Sequence, residues 1–293
     1  MISYLEHSSE FIFDPPFLQP PDFPPHHILE LGSGTGIVAS RLVQHIRHAQ
    51  GFFTVTDLPE VCPLLERNLT NYIQGSPSRT TLLVRPLAWG NKAHALAIYE
   101  ELLSSSSKKF GTAPILSHII CSDLVYFPEL LAPLLRSLLH LTSPPFTTGT
   151  TNPPTVIISY KIRSLAKETA FWSTFGLWFT FEPVLERQRL RNTPLSGGDF
   201  RNLPSQTPDP DAQRPLSPQP VGEEEEADWQ RFGSDLDEEM FIFIARRRPE
   251  SNLWEIPDRD EDLLNGVGAG GTQACKSDDT FESLLLLMVG GTN

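Results

Sequence analysis

Short runs of apolar, β-branched and aromatic residues alternate along this chain with stretches that place apolar side chains three and four apart. The runs Ile28–Leu31, Phe52–Thr56, Thr81–Pro86, His118–Cys121, Val156–Tyr160, Trp178–Pro183 and Met240–Arg246 have the length and composition of strands. Helical spacing marks Ile37–His48, where Ile37, Leu42, Val43 and Ile46 share one side. It recurs over Pro59–Tyr72, from Leu124 or later to Leu141, and over Leu165–Phe175. The order βαβαββαβαββ predicts an α/β fold whose seven strands form a mostly parallel sheet with helices on both faces. No helical pattern separates the last two strands, so they are expected to pair antiparallel.

Composition divides the chain further. Residues 1–26 form an N-terminal segment that is proline-rich over 14–25, which predicts an extended loop there. The ordered domain is expected over 27–187 and again over 239–248. Residues 188–238 are rich in Pro, Gly, Ser and acidic groups and bury too little apolar surface to offset ordering entropy, which predicts a disordered insertion. Residues 249–293 read as a flexible, polar, Gly-containing tail with a weakly amphipathic end at Phe281–Met288.

The formal net charge of −13 argues against nucleic acid as a partner. Much of the acidity is concentrated in Glu223–Glu226, Asp235–Glu239 and Asp258–Asp262. Three cysteines without close pairing point to a reducing compartment, the cytoplasm or also the nucleus, and to no disulfide framework or zinc site. No secretory signal is visible, and the longest apolar run, Leu284–Val289, is too short for a membrane span. Nothing in the sequence calls for more than a monomer. The eight histidines show no ligand spacing, and His26 and His27 read as solvated.

The chemistry concentrates where the first strand runs into Gly32-Ser33-Gly34-Thr35-Gly36. A strand, a glycine turn and a helix in that order put backbone N–H groups at the carboxyl end of a parallel strand, where open α/β sheets bind nucleotide-like ligands. The G-x-G-x-G spacing differs from the G-x-G-x-x-G of dinucleotide sites, which disfavours a dehydrogenase. A tight turn without a ligand is the plainer reading. The second strand ends in Asp57, about twenty residues beyond Gly36, where a carboxylate can accept hydrogen bonds from ribose hydroxyls. Asp57 is also placed to cap a helix starting near Pro59.

Four elements occur in order: Gly32–Val38 with Glu30 before it, Thr56-Asp57-Leu58-Pro59, Leu87-Ala88-Trp89-Gly90, and Ser122-Asp123-Leu124-Val125-Tyr126. Together they resemble the methyltransferase-like 21 group of the seven-β-strand (class I, Rossmann-like) protein-lysine methyltransferases. The resemblance covers roughly residues 27–185 and 240–246, and its most specific part is the D-x-x-Y element. It implies S-adenosyl-L-methionine as cofactor, no metal, and a protein lysine as acceptor. Glu30, Gly32, Ser33, Gly34, Gly36, Asp57, Leu58 and Ser122 would surround the cofactor, with Trp89 against the adenine. Asp123 and Tyr126 would be the catalytic pair at the mouth of the acceptor site, Asp123 binding and orienting the lysine. Trp89 and Tyr126 as packing aromatics, and Asp123 as a helix cap, are the plainer readings.

One departure is visible. Members of that group usually carry a helix-rich segment with a Gly and a Trp before the glycine loop, whereas no Trp precedes Ile28 here and Ile2–Glu6 resembles only the end of such a helix. That implies either a shortened N-terminus or a partly open cofactor pocket. A small-molecule N-methyltransferase, and a catalytically impaired interaction protein with the same fold, are the competing functions.

Overall fold

The computed structural model describes residues 1–6, 10–18, 26–74, 79–110, 115–148, 152–189, 228–234 and 240–289. Seven strands form the central sheet: β2 (His26–Leu31), β3 (Gly51–Asp57), β4 (Thr80–Pro86), β5 (Ile115–Ser122), β6 (Thr155–Lys161), β7 (Phe179–Pro183) and β10 (Met240–Arg247). Their spatial order is β4-β3-β2-β5-β6-β10-β7. The pairs from β4 through β6 are parallel, and β10 lies antiparallel between β6 and β7. The predicted α/β sheet with a reversed last strand is therefore the fold of this chain.

β3 is buried over Gly51–Thr56, as expected of a strand covered on both faces. Successive residues of β2 point to opposite faces. Ile28 joins a core with Val38, Leu42 and Ile46 of α2 (Ile37–Ile46) and Leu65 and Leu69 of α3 (Cys62–Gln74). Leu29 and Leu31 join the opposite core with α5 (Pro128–Leu141) and α6 (Leu165–Trp178).

The hydrophobic pattern passes over one helix of this architecture. α4 (Lys92–Phe110) carries the chain from β4, at the sheet edge, back to β5 beside β2. Parallel strands require such a crossover. Its pattern is faint because the core face is served by Ala95, Ile98 and Leu102 in a stretch otherwise rich in alanine, serine and charge.

Both ends depart from what their composition predicts. In the N-terminal segment α1 (Ile2–Leu5) buries Tyr4 and Leu5, and the Tyr4 hydroxyl donates to the Pro15 carbonyl at 2.9 Å. β1 (Phe11–Asp14) pairs antiparallel with β8 (Leu185–Gln188), which also pairs with β9 (Gln230–Arg231). Aromatic rings among the prolines drive this order: Tyr4 meets Phe13 edge-on at 5.4 Å, and Phe17 is buried. Residues 19–25 lie outside the described residues, as do 190–227 and 235–238 of the expected insertion.

The stretch after β10 is packed, not a flexible tail. It forms a 3-10 turn (Pro249–Leu253), α7 (Asp260–Leu264) and α8 (Thr280–Val289). The Phe281 ring stacks on Trp172 at 4.9 Å and 11° and meets Tyr160 at 5.8 Å. Its polar composition conceals a few apolar anchors, Leu263 and Phe281, that reach the main core. His27 also departs from its reading as solvated: it sits in β2 at 1% exposure and shares a 3.0 Å hydrogen bond with the Thr54 hydroxyl. Among the described residues no helix is long and apolar enough to cross a membrane.

Phe281→Ala is expected to destabilise the protein by about 3–5 kcal/mol through loss of a fully buried ring. Leu286→Ala, at a side chain 74% exposed on the same helix, is expected to fall within about 0.5 kcal/mol of wild type. Urea denaturation of both variants measures the contrast.

Candidate functional site

The strand order reverses at β2: β3 lies on one side and β5 on the other. Chain ends diverge above such a switch point and leave a crevice at the carboxyl edge of the sheet. The glycine loop leaves β2 there, and Ser122-Asp123 leaves β5 beside it. A cavity of about 440 Å³ occupies the crevice, and its lining includes Glu30, Gly32 and Ser33 as well as Ser122, Asp123, Lys161 and Met240.

The loop geometry explains its glycines. Gly32 has φ +58°, and a Cβ there would stand 2.9 Å from Trp89 Cζ2 and 3.1 Å from Leu124 Cδ2. Gly34 has φ +56° with nothing within 4 Å of where its Cβ would be, so its backbone faces open space. Gly36 opens α2. Asp57 clamps the loop from β3: Gly34 N–H donates to Oδ2 at 2.8 Å and Leu58 N–H to Oδ1 at 2.7 Å. α3 begins only at Cys62, so Asp57 is not the cap of a helix starting at Pro59. Each of its oxygens keeps a lone pair for a ligand.

Glu30 is a strongly perturbed group in the crevice. It is 1% exposed, and burial pushes its carboxyl up to about 8, with the Asp57 charge adding to the rise. Its Oε2 and the Ser33 hydroxyl are both buried, and apart from each other they have no hydrogen-bond partner among the described residues. Buried polar atoms left unpaired in this way mark where a ligand satisfies them. With the open face at Gly34 and the Asp57 carboxylate beside it, these groups are of the kind that S-adenosylmethionine needs: Glu30 and Ser33 could meet its polar amino-acid end and Asp57 its ribose hydroxyls. Trp89 is half-buried behind Gly32 and Leu58 is exposed beside Asp57.

Other parts of the cavity wall are charged. Asp123 has φ +61°, a left-handed conformation rare for a residue with a side chain, and its N–H donates to the Ser159 carbonyl at 2.9 Å. It does not cap α5, which starts at Pro128 after Phe127. Its carboxylate is not free: Arg163 Nη1 donates to Oδ1 at 2.8 Å and Nη2 to Oδ2 at 2.5 Å. The Arg163 guanidinium also lies 5.8 Å from the centre of the Tyr126 ring, which in turn meets Phe127 at 4.5 Å. Tyr126 thus stands at the rim, outside the cavity lining.

Sequence reasoning passed over Arg163, which sits in the turn between β6 and α6. A buried carboxylate builds that turn: Glu168 accepts from the Tyr160 hydroxyl at 2.6 Å, from Ser164 N–H at 3.1 Å and from Arg163 N–H at 3.3 Å. No local pattern could have flagged Arg163, since its partner lies forty residues earlier. Among the described residues no group of three or more His, Cys, Asp or Glu could hold a metal ion.

A family model described as lysine methyltransferase matches residues 1–175. No curated protein matches the chain. Among solved structures, the chain is similar to the CurJ carbon methyltransferase, with 12% identity, TM-score 0.40 and coverage of 78% of this chain and 50% of that one. It is similar to a putative methyltransferase from Thermoplasma acidophilum at 12% identity and TM-score 0.32, covering 77% and 70%. It is also similar to the O-methyltransferase NcsB1 from neocarzinostatin biosynthesis, solved with S-adenosylmethionine, at 14% identity and TM-score 0.29, covering 46% and 32%. The chain therefore spans half or less of the CurJ and NcsB1 chains.

Glu30 imposes a pH dependence on the cofactor-free protein. Between its ordinary value of 4.5 and about 8 the native state keeps a proton that the unfolded chain releases, so stability falls as pH rises across that window. His27, held neutral by burial down to about 3, acts in the opposite sense below 6.5 and is common to both proteins compared. Glu30→Gln is expected to be more stable than wild type at pH 8, by roughly 3–5 kcal/mol, and to approach it at pH 4.5. Urea denaturation at both pH values checks the difference.

Proposed function

The chain belongs to the lysine methyltransferase family, and on that premise we propose that it methylates the ε-amino group of a lysine in a protein of the cytosol or nucleus. Its cofactor is S-adenosylmethionine, which supplies a methyl group on a positively charged sulfur, ready for in-line attack. The observation that carries the proposal is that one cavity is lined both by Glu30, Gly32 and Ser33 around the glycine loop and by Asp123 and Lys161, so that donor and acceptor would share it.

The residues divide the task accordingly. Gly32, Ser33 and Gly34 would bring backbone and hydroxyl groups against the donor, and Asp57 would fix its ribose through charge-assisted hydrogen bonds. Trp89 presents an aromatic body behind Gly32 for the adenine. The protein contributes position and electrostatics, because the donor already carries the reactive group. A lysine arrives as an ammonium with an unperturbed pKa of about 10.4 and must give its proton to solvent before its nitrogen can attack. The Asp123–Arg163 pair and the Tyr126 rim would receive and orient the amine. The chain would act as a monomer, with a protein, not nucleic acid, as its partner, in keeping with its net charge of −13.

Asp57→Ala is expected to weaken binding of S-adenosylhomocysteine, the demethylated product, on the order of 100-fold in calorimetric titration, through loss of two charge-assisted hydrogen bonds. Wild type incubated with tritiated S-adenosylmethionine and lysate is expected to label protein in an acid-stable form that amino-acid analysis returns as methyllysine. Label confined to small molecules would replace the protein acceptor with a metabolite. Absence of product binding by folded wild type would overturn the enzyme reading.

A further inference from the structure

The pairing of Asp123 with Arg163 has a consequence for how the acceptor enters. Resting on the methyltransferase reading above, we propose that Arg163 is a positioning residue that holds the Asp123 carboxylate in place and cancels its charge, so that the acceptor site selects the neutral, nucleophilic form of the lysine amine.

A free carboxylate at the mouth would attract the ammonium and raise its pKa, holding the acceptor in the form that cannot attack. A guanidinium locked on both carboxylate oxygens removes that pull, and its own charge near the amine favours the deprotonated form. Four contacts fix Arg163 for this task. Two are the parallel donations to Asp123, a geometry that gives more than an ordinary surface ion pair. A third is the Tyr126 ring, 5.8 Å from the guanidinium centre. The fourth is backbone: Arg163 and Ser164 N–H both donate to buried Glu168, anchoring the turn independently of the ion pair. Asp123 and Arg163 side chains are 46% and 39% exposed, so solvent screens the pair until an acceptor covers it. Covering strengthens its field where the amine is bound.

Other charged groups meet the same space. Lys161 lines the cavity, and its carbonyl accepts from Arg163 Nη1 at 3.3 Å. Glu168 is spent on the turn, and Tyr160, bonded to it, is kept protonated by burial. Glu30 also lines the cavity, and the Met1 amino group on its wall is lowered to about 6 by burial. All five are unchanged in the variants below, so differences between variants isolate Arg163.

The test compares Arg163→Gln, Arg163→Lys and the double variant Asp123→Asn/Arg163→Gln with wild type. Labelling rates with tritiated S-adenosylmethionine and limiting lysate protein are recorded from pH 6.5 to 10. In Arg163→Gln the midpoint of the rising limb is expected to move upward on the order of one pH unit. Arg163→Lys keeps the charge and should hold the wild-type midpoint, and the double variant should return to it. S-adenosylhomocysteine affinity should be unchanged in all. A fall in rate with an unmoved midpoint in Arg163→Gln would overturn the proposal.

A second readout does not depend on turnover. Nα-acetyl-lysine methylamide is titrated at pH 7 into each protein loaded with S-adenosylhomocysteine and followed by NMR. Arg163→Gln should bind this ammonium probe on the order of tenfold more tightly than wild type; equal affinity overturns the inference. If wild type transfers no methyl group, the function proposed above fails, and this titration alone decides the role of Arg163.

Discussion

Everything chemical in this molecule hangs on the reversal of strand order at β2. Because β3 and β5 flank it on opposite sides, the loops leaving β2 and β5 part from one another, and a crevice opens that the sheet cannot fill. The glycine loop, Asp57 at the end of β3 and Asp123 at the end of β5 converge on it from three consecutive strands. Parallel pairing sets their heights: Glu30 stands beside Val55 on one side and Ile120 on the other, so the strand ends lie level. The antiparallel entry of β10 between β6 and β7 then places Met240 on the wall opposite the glycine loop.

The packing around this frame reaches the site through one aromatic cluster. Trp172 sits against Tyr160, Phe243 and Phe281, joining α6, β6, β10 and α8. Tyr160 is the hinge between packing and chemistry: its ring belongs to the cluster, while its hydroxyl bonds Glu168, which builds the turn carrying Arg163. The segment after β10 thereby supports the acceptor end of the cavity without lining it.

The two carboxylates of the cavity are treated in opposite ways. Glu30 is buried with an oxygen that has, apart from Ser33, no partner among the described residues, so its ionised form is disfavoured until something meets it. Asp123 is half-exposed and fully paired with Arg163. Glu30 is therefore poised to gain from a polar ligand, whereas the Asp123 carboxylate carries its own countercharge.

Much of this was legible in the sequence because it is written in short-range patterns. Apolar runs specified the seven strands of the sheet, and a glycine at each left-handed position of the loop from Gly32 to Gly36 announced the turn after the first of them. Asp57 was readable because a strand end is a fixed address. Residues that owe their place to distant partners were not readable. His27 is buried because it shares a hydrogen bond with the Thr54 hydroxyl across a strand pair, α4 hides behind three small or widely spaced apolar positions, and Phe281 docks a polar stretch onto Trp172. The sequence by itself determined the fold and the identity of the groups at its strand ends, since local periodicity and turn chemistry act within a few residues. Only the tertiary structure decided which charge meets which, as with Arg163 on Asp123, because ion pairing depends on distance in space and leaves no period along the chain.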